Sequence, residues 1–169
     1  KYHLNNNNLN DKIIWKFFKN INGYKKTLNF YNKYKFKFIP KLIESNNLTL
    51  SIKQEYVGNL LSLYDNLPKD WEKQLNYIRN EFIKKNMIIQ DLRFLPYTPL
   101  ILNNFTVCKS TKSIYIVDLT MVISCNSNYI NYKFNNLIFQ IKLYIYLIKY
   151  INYYFLIFPH ILYHIIGLL

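Results

Sequence analysis

Glycine, cysteine and acid are the scarce residues of this 169-residue chain. Its three glycines, Gly23, Gly58 and Gly167, stand far apart. That excludes a glycine-rich loop cradling phosphate through consecutive backbone N–H groups. The two cysteines, Cys108 and Cys125, belong to no CxxC and stand near no histidine pair, so zinc is not expected. Two thiols without a disulfide framework agree with a reducing, cytoplasmic setting. No secretory signal is recognisable at the start. The chain opens on Lys1 rather than Met and is read as a fragment whose true start lies upstream. Asp and Glu number 9 against 22 Lys and Arg, a net charge of +13. No glutamate occurs between Lys1 and Ile43.

What the chain does have is apolar and aromatic content: 51% hydrophobic residues, with 17 Tyr and 12 Phe. That is enough to fill a core, in one domain or in two small lobes sharing a cleft. Asn, Lys, Ile and Tyr dominate, as a biased codon usage would give. The lysines therefore read as a solvated surface, or as attraction to polyanions such as ATP, nucleic acid or an acidic membrane. No DNA- or RNA-binding signature is present, so no specific nucleic acid is expected.

Residues 1–11 are polar and read as a loop. Ile13 to Lys19 favours a half-buried strand carrying Lys16. Asn22-Gly23 is a turn signal, and Tyr24 to Tyr34 has helical spacing through Leu28, Tyr31 and Tyr34. Glu44 to Asn47 reads as a turn. Leu48 to Tyr56 alternates as a strand through Leu48, Leu50 and Ile52, and ends in Glu55-Tyr56-Val57-Gly58. Pro68-Lys69-Asp70 starts a helix whose stripe is Trp71, Leu75, Ile78 and Phe82, ending at Asn86.

The stretch Met87 to Val122 then joins an apolar lead-in, an Asp91-Leu92-Arg93 corner, an apolar strand through Asn104-Phe105-Thr106-Val107, a polar turn and a strand stopping at Asp118. Acids at the ends of buried apolar runs are costly without a partner, and a metal ion bridging phosphates is one such partner. This arrangement resembles the catalytic segment of the protein-kinase superfamily, with its Asp-Leu-Arg/Lys loop and its strand ending in Asp-Phe-Gly.

The resemblance covers Ile13 to Val122 and implies an α+β, reduced two-lobed fold: residues 1–58 a partial, strand-rich lobe with hinge, and residues 59–149 a helical lobe with the catalytic loop. It implies phosphoryl transfer from ATP with Mg²⁺ to a hydroxyl on protein or small molecule. Ile13-Ile14-Trp15-Lys16 is similar to the family's Val-Ala-Ile-Lys, so Lys16 would hold phosphates. Glu55 and Val57 would offer the hinge that binds adenine, and Asn59 to Asp65 the short helix after it. Asp91 would position the acceptor hydroxyl, Arg93 would neutralise the transferred phosphate, and Asp118 would hold metal. The family's metal-binding Asn falls on Pro96, so Asn104 takes that role if Phe94 to Asn103 is an insertion. In Asp118-Leu119-Thr120, Leu119 fills the apolar slot of the family's Phe. Thr27 or Leu28 stands where the family has the Glu that pairs the Lys. The missing Glu, the missing glycine loop and the altered loop spacing suggest, as the second reading, a catalytically impaired pseudokinase acting as a binding module.

The polar run Asn126 to Asn131 reads as a turn. Tyr150 to Leu169 carries no charged side chain with its histidines neutral and is long enough to span a bilayer. It is expected to be a buried helix or a membrane contact, the latter making the chain a small membrane-associated protein. His160 and His164 are spaced i, i+4 without a third ligand, which favours a packed pair over a metal site.

Overall fold

The computed structural model describes residues 2–4, 13–63, 65–95 and 98–166, and side chains for these apart from 2–4, 95, 98–99 and 151–166. The chain is mixed α+β, with small antiparallel sheets and three helices among the described residues. In chain order the elements are β1 (Tyr2–Leu4), β2 (Ile13–Phe17), α1 (Ile21–Lys33), β3 (Leu42–Asn46), β4 (Ser51–Glu55), β5 (Asn59–Ser62), α2 (Trp71–Lys84), β6 (Met87–Ile89), β7 (Phe94–Leu95), β8 (Thr98–Val107), β9 (Ile114–Ile116), β10 (Val122–Ser124) and α3 (Ser127–Ile166).

The first sheet has the order β1-β2-β4-β3, all antiparallel. Its register sets Lys16 opposite Ile52, one of the fully buried residues. The hairpin between β3 and β4 turns later than the sequence suggests. Glu44 to Asn46 continue β3, because the Asn46 carboxamide accepts from the N–H groups of Leu48 and Thr49 at 2.9 and 3.1 Å and fixes the turn beyond itself. Leu48, predicted in a strand, sits in that turn and is 95% exposed, and Leu50 takes φ +46°.

The helix predicted from Tyr24 begins three residues earlier. Asn20 Oδ1 accepts from Gly23 N–H at 2.8 Å, so Asn22-Gly23 lies in the first helical turn rather than in a reverse turn. Tyr24, Thr27, Phe30 and Tyr31 form the buried face. Beyond α1, Tyr34, Phe36 and Phe38 stack in series, with ring centroids 5.7 and 4.8 Å apart.

Asn59 to Asp65 is not helical. Asn59–Ser62 forms β5 and pairs with β8. Gly58 sets this course: at φ +127° its backbone packs so closely that a Cβ would meet Val107 O at 1.9 Å. Strand β8 is the hub of the second half, flanked by β5, β7 and β9. Helix α2 supports it through Gln74, which accepts from Ile114 N–H at 2.7 Å and donates to Lys112 O at 3.1 Å. Asn86 takes φ +50° after α2, as its tolerance of left-handed angles predicts. The chain then enters β6, which pairs with β10.

Asn126 to Asn131 is a helix start, not a turn. Asn126 Oδ1 accepts from Tyr129 N–H at 2.9 Å, which caps α3 in the manner of a short polar N-cap. Ile130, Phe134, Leu137, Ile138 and Ile141 bury one face of α3 against α2 and the sheets. The expected burial of Tyr150 to Leu169 falls mostly on side chains outside the described residues; Tyr150 itself is 48% exposed. Among the described residues, no helix is long and apolar enough to cross a membrane.

Phe82 links the halves. It is fully buried, and its ring lies 5.8, 5.5 and 6.1 Å from those of Phe36, Phe38 and Phe134. Truncation to Ala in so filled a site is expected to cost about 3–5 kcal/mol, read as a lower urea midpoint at unchanged m-value.

Candidate functional site

Lys16 is the buried residue of β2, its side chain 9% exposed. A buried ammonium needs an anion within reach. The anion is Asp118, 102 residues later: Lys16 Nζ donates to Asp118 Oδ1 at 2.6 Å. The same oxygen accepts from Thr120 N–H at 3.0 Å and Thr120 Oγ1 at 2.7 Å. Burial pushes the Asp118 carboxyl up, but the Lys16 charge and hydrogen bond, with the Thr120 donors, outweigh it and hold the group below its usual range.

Helix α1 brings no carboxylate to Lys16. Thr27 is buried and gives its hydroxyl to Gly23 O at 2.9 Å, and Leu28 is half-buried. The buried polar partner from α1 is Tyr31, whose hydroxyl donates to Gln54 Oε1 at 3.2 Å. Burial, and then the negative charge of Asp118, raise the Tyr31 phenol well above its ordinary value, so it stays a neutral donor.

A second group gathers around Asp91. Arg93 Nε lies 2.7 Å from its Oδ1, and Asn103 Nδ2 donates to its Oδ2 at 2.7 Å. Asn104 Nδ2 donates to the Asp91 backbone carbonyl at 2.9 Å. Asn104 takes φ +63°, a conformation Asn accepts more readily than most residues. Its own carbonyl receives Val117 N–H at 3.0 Å. One residue thus ties the Asp91 corner to the residue before Asp118. Leu119 is 1% exposed and anchors the next position in the core. Gln90 N–H to Met121 O, at 2.9 Å, closes the same loop from its other side.

Lys16 and Asp118 therefore stand in direct contact, and Asp91, Arg93 and Asn104 form the neighbouring group. Glu55 and Val57 follow at the end of β4 and hydrogen-bond to neither group among the described residues. The Glu55 carboxylate instead accepts from Lys41 N–H at 3.3 Å, and Val57 is buried. Pro96 lies outside the described residues, as do the side chains of His160 and His164. Among the described residues no group of three or more His, Cys, Asp or Glu side chains could hold a metal. A cavity of about 520 Å³ lies elsewhere, between Lys37–Phe38, α2 and β9, and does not include Lys16 or Asp118.

Sequence reasoning missed Asn103, Thr120 and the Tyr31–Gln54 pair. No local pattern singled out Asn103: the left-handed backbone of Asn104, φ +63°, breaks the strand alternation and lets both Asn side chains reach Asp91. Thr120 carries no local signal of its role, although its hydroxyl and amide both brace Asp118.

Folding lowers the Asp118 carboxyl below its unfolded value. Its contribution is therefore full above about pH 4 and is lost as pH falls through the folded value. Asp118→Asn should flatten stability against pH in that acid window. By stranding Lys16 it should also cost about 3–5 kcal/mol near neutrality. The double variant Lys16→Met/Asp118→Leu should recover much of the loss in urea denaturation. No family model matches the chain, and a search of curated proteins finds no match.

Proposed function

We propose that the chain is a divergent, reduced kinase-like protein of the protein-kinase superfamily. In this reading it binds ATP with Mg²⁺ and transfers the γ-phosphoryl group to a hydroxyl on a protein or small molecule. The observation that carries this reading is the Lys16–Asp118 contact of 2.6 Å, formed between a buried strand lysine and the aspartate that follows β9. The order of parts supports it as well: β6, the Asp91 corner, the β8–β9 hairpin, Asp118, and β10 returning to pair with β6. That order is the strand–loop–hairpin–acid sequence the resemblance calls for.

In this reading Lys16 moves from Asp118 to nucleotide phosphate once an anion enters. Asp118 and Asn104 would be the residues that hold Mg²⁺, and the ion would supply positive charge to the nucleotide phosphates. Asp91 accepts the proton of the acceptor hydroxyl as its oxygen attacks the γ-phosphorus, and ADP leaves with the bonding pair. Arg93 lies beside Asp91, placed to meet charge on the transferred group. Glu55 and Val57 edge the adenine.

A second reading has its own observation. Both oxygens of Asp91 are engaged by Arg93 and Asn103, so its acceptor capacity is partly spent within the protein. That favours a pseudokinase that binds nucleotide and acts as a binding module without turnover. The two readings separate on one substitution. As an enzyme, the chain should show ADP release that Asp91→Asn reduces by about 100-fold or more, with ATP affinity retained. As a binding module, it should bind ATP with Mg²⁺ and release no ADP in either form. Failure of the wild type to bind ATP at all would remove both.

A further inference from the structure

Helix α3 has two apolar faces rather than one. Opposite its buried face, Tyr132, Phe139, Leu143, Tyr146 and Leu147 are 65, 64, 45, 62 and 41% exposed. Residues 132, 139, 143 and 146 recur at steps of seven, four and three, which holds them on one side of a helix with 3.6 residues per turn. Tyr146 stacks on Tyr150 with centroids 5.9 Å apart, continuing the row. A surface helix ordinarily turns charge and amide to water along this side; here Asn135 and Asn136 do so between Tyr132 and Phe139, while the exposed apolar row from Phe139 to Tyr150 marks an interaction surface.

Charge decides what fits there. The α3 sequence contains no Asp or Glu, and its lysines are Lys133, Lys142 and Lys149. Helical periodicity puts Lys133 along one flank of the row and Lys142 and Lys149 along the other. Lys142 reaches Glu72 of α2 at 2.7 Å, and Lys133 Nζ lies 5.9 Å from the Tyr129 ring. A second copy of this face would set lysine against lysine, in a chain of net charge +13, with no acid on the helix to answer them. An anionic bilayer answers both features. Its headgroups meet the flanking lysines and the tyrosine hydroxyls, and its acyl boundary receives Phe139, Leu143 and Leu147.

We propose that α3 lies along the surface of an anionic lipid bilayer through the face running from Tyr132 to Tyr150, while its opposite face stays packed in the core. This surface is independent of the phosphoryl-transfer reading. It needs neither nucleotide nor an intact Asp91.

Flotation of the full chain with vesicles tests it. Wild type should float with vesicles of phosphatidylcholine mixed with phosphatidylserine, and far less with phosphatidylcholine alone. The pair Phe139→Ser/Leu143→Ser should abolish flotation while leaving circular dichroism and the urea midpoint unchanged, since both side chains are exposed. Lys149→Gln should weaken binding by about fivefold, the value of one lysine near such a surface. Three results would overturn the proposal: no flotation of the wild type, flotation of the serine pair equal to wild type, or a wild-type dimer by sedimentation equilibrium that the serine pair dissolves.

Discussion

A lysine buried in the middle of a sheet has to find a negative charge, and in this chain the requirement is met from 102 residues away. The cost of hiding an ammonium is several kcal/mol unless a carboxylate lies in contact and its own remaining valences are filled. Both conditions hold: Asp118 touches Lys16, and Thr120 fills the rest of the same oxygen. The pairing has consequences for the whole chain. It holds the sheet of β2 and β4 over the end of β9. The backbone bond from Ile116 N–H to Phe38 O, at 2.9 Å, reinforces the same junction two residues earlier. The aromatic series from Tyr34 to Phe38, capped by Phe82, fills the space between.

Around that junction the polar groups are few, and Asn103, Asn104 and Thr120 each have a named partner. Asn104 is the link, with its side chain on the Asp91 carbonyl and its carbonyl on Val117. Asn103, the residue before it, takes the Asp91 carboxylate. The result is two carboxylates held by a common strand, one facing a lysine and the other an arginine. The Lys16 neighbour keeps Asp118 ionised, while Arg93 and Asn103 engage the two oxygens of Asp91. They also stiffen the corner, so a ligand gains preorganisation at the expense of displacing an existing contact.

Much of the fold was legible because apolar periodicity survives a biased composition. The stripe of Trp71, Leu75, Ile78 and Phe82, the strand around Lys16 and the two strands bracketing the polar turn all follow from spacing alone. Three of the errors share one cause. Asn is so frequent that its local hydrogen bonds could not be told from filler: Asn20 starts a helix, Asn46 delays a hairpin turn, and Asn126 converts a polar run into the cap of α3. Asn59–Ser62 was misread for a different reason, since only the close approach of Gly58 to Val107 turns that segment into a strand. At the site, Lys16 and Asp118 were readable as residue types with unusual positions. Their contact, and the bracing by Thr120 and Asn103, depend on tertiary placement that no local pattern encodes.

The central claim is that Asp118, Asn104 and Lys16 together receive a metal–phosphate group. Its most direct test replaces Mg²⁺ by paramagnetic Mn²⁺ and follows the broadening of backbone amide signals as Mn²⁺ and ATP are added together. The account predicts early, selective loss of signals at Asn104, Val117 to Thr120 and Lys16, reversed by excess Mg²⁺ and absent in Asp118→Ala. Broadening centred instead on the cavity beside Lys37, Lys73 and Tyr77, or spread evenly over the lysine-rich surface, would contradict it.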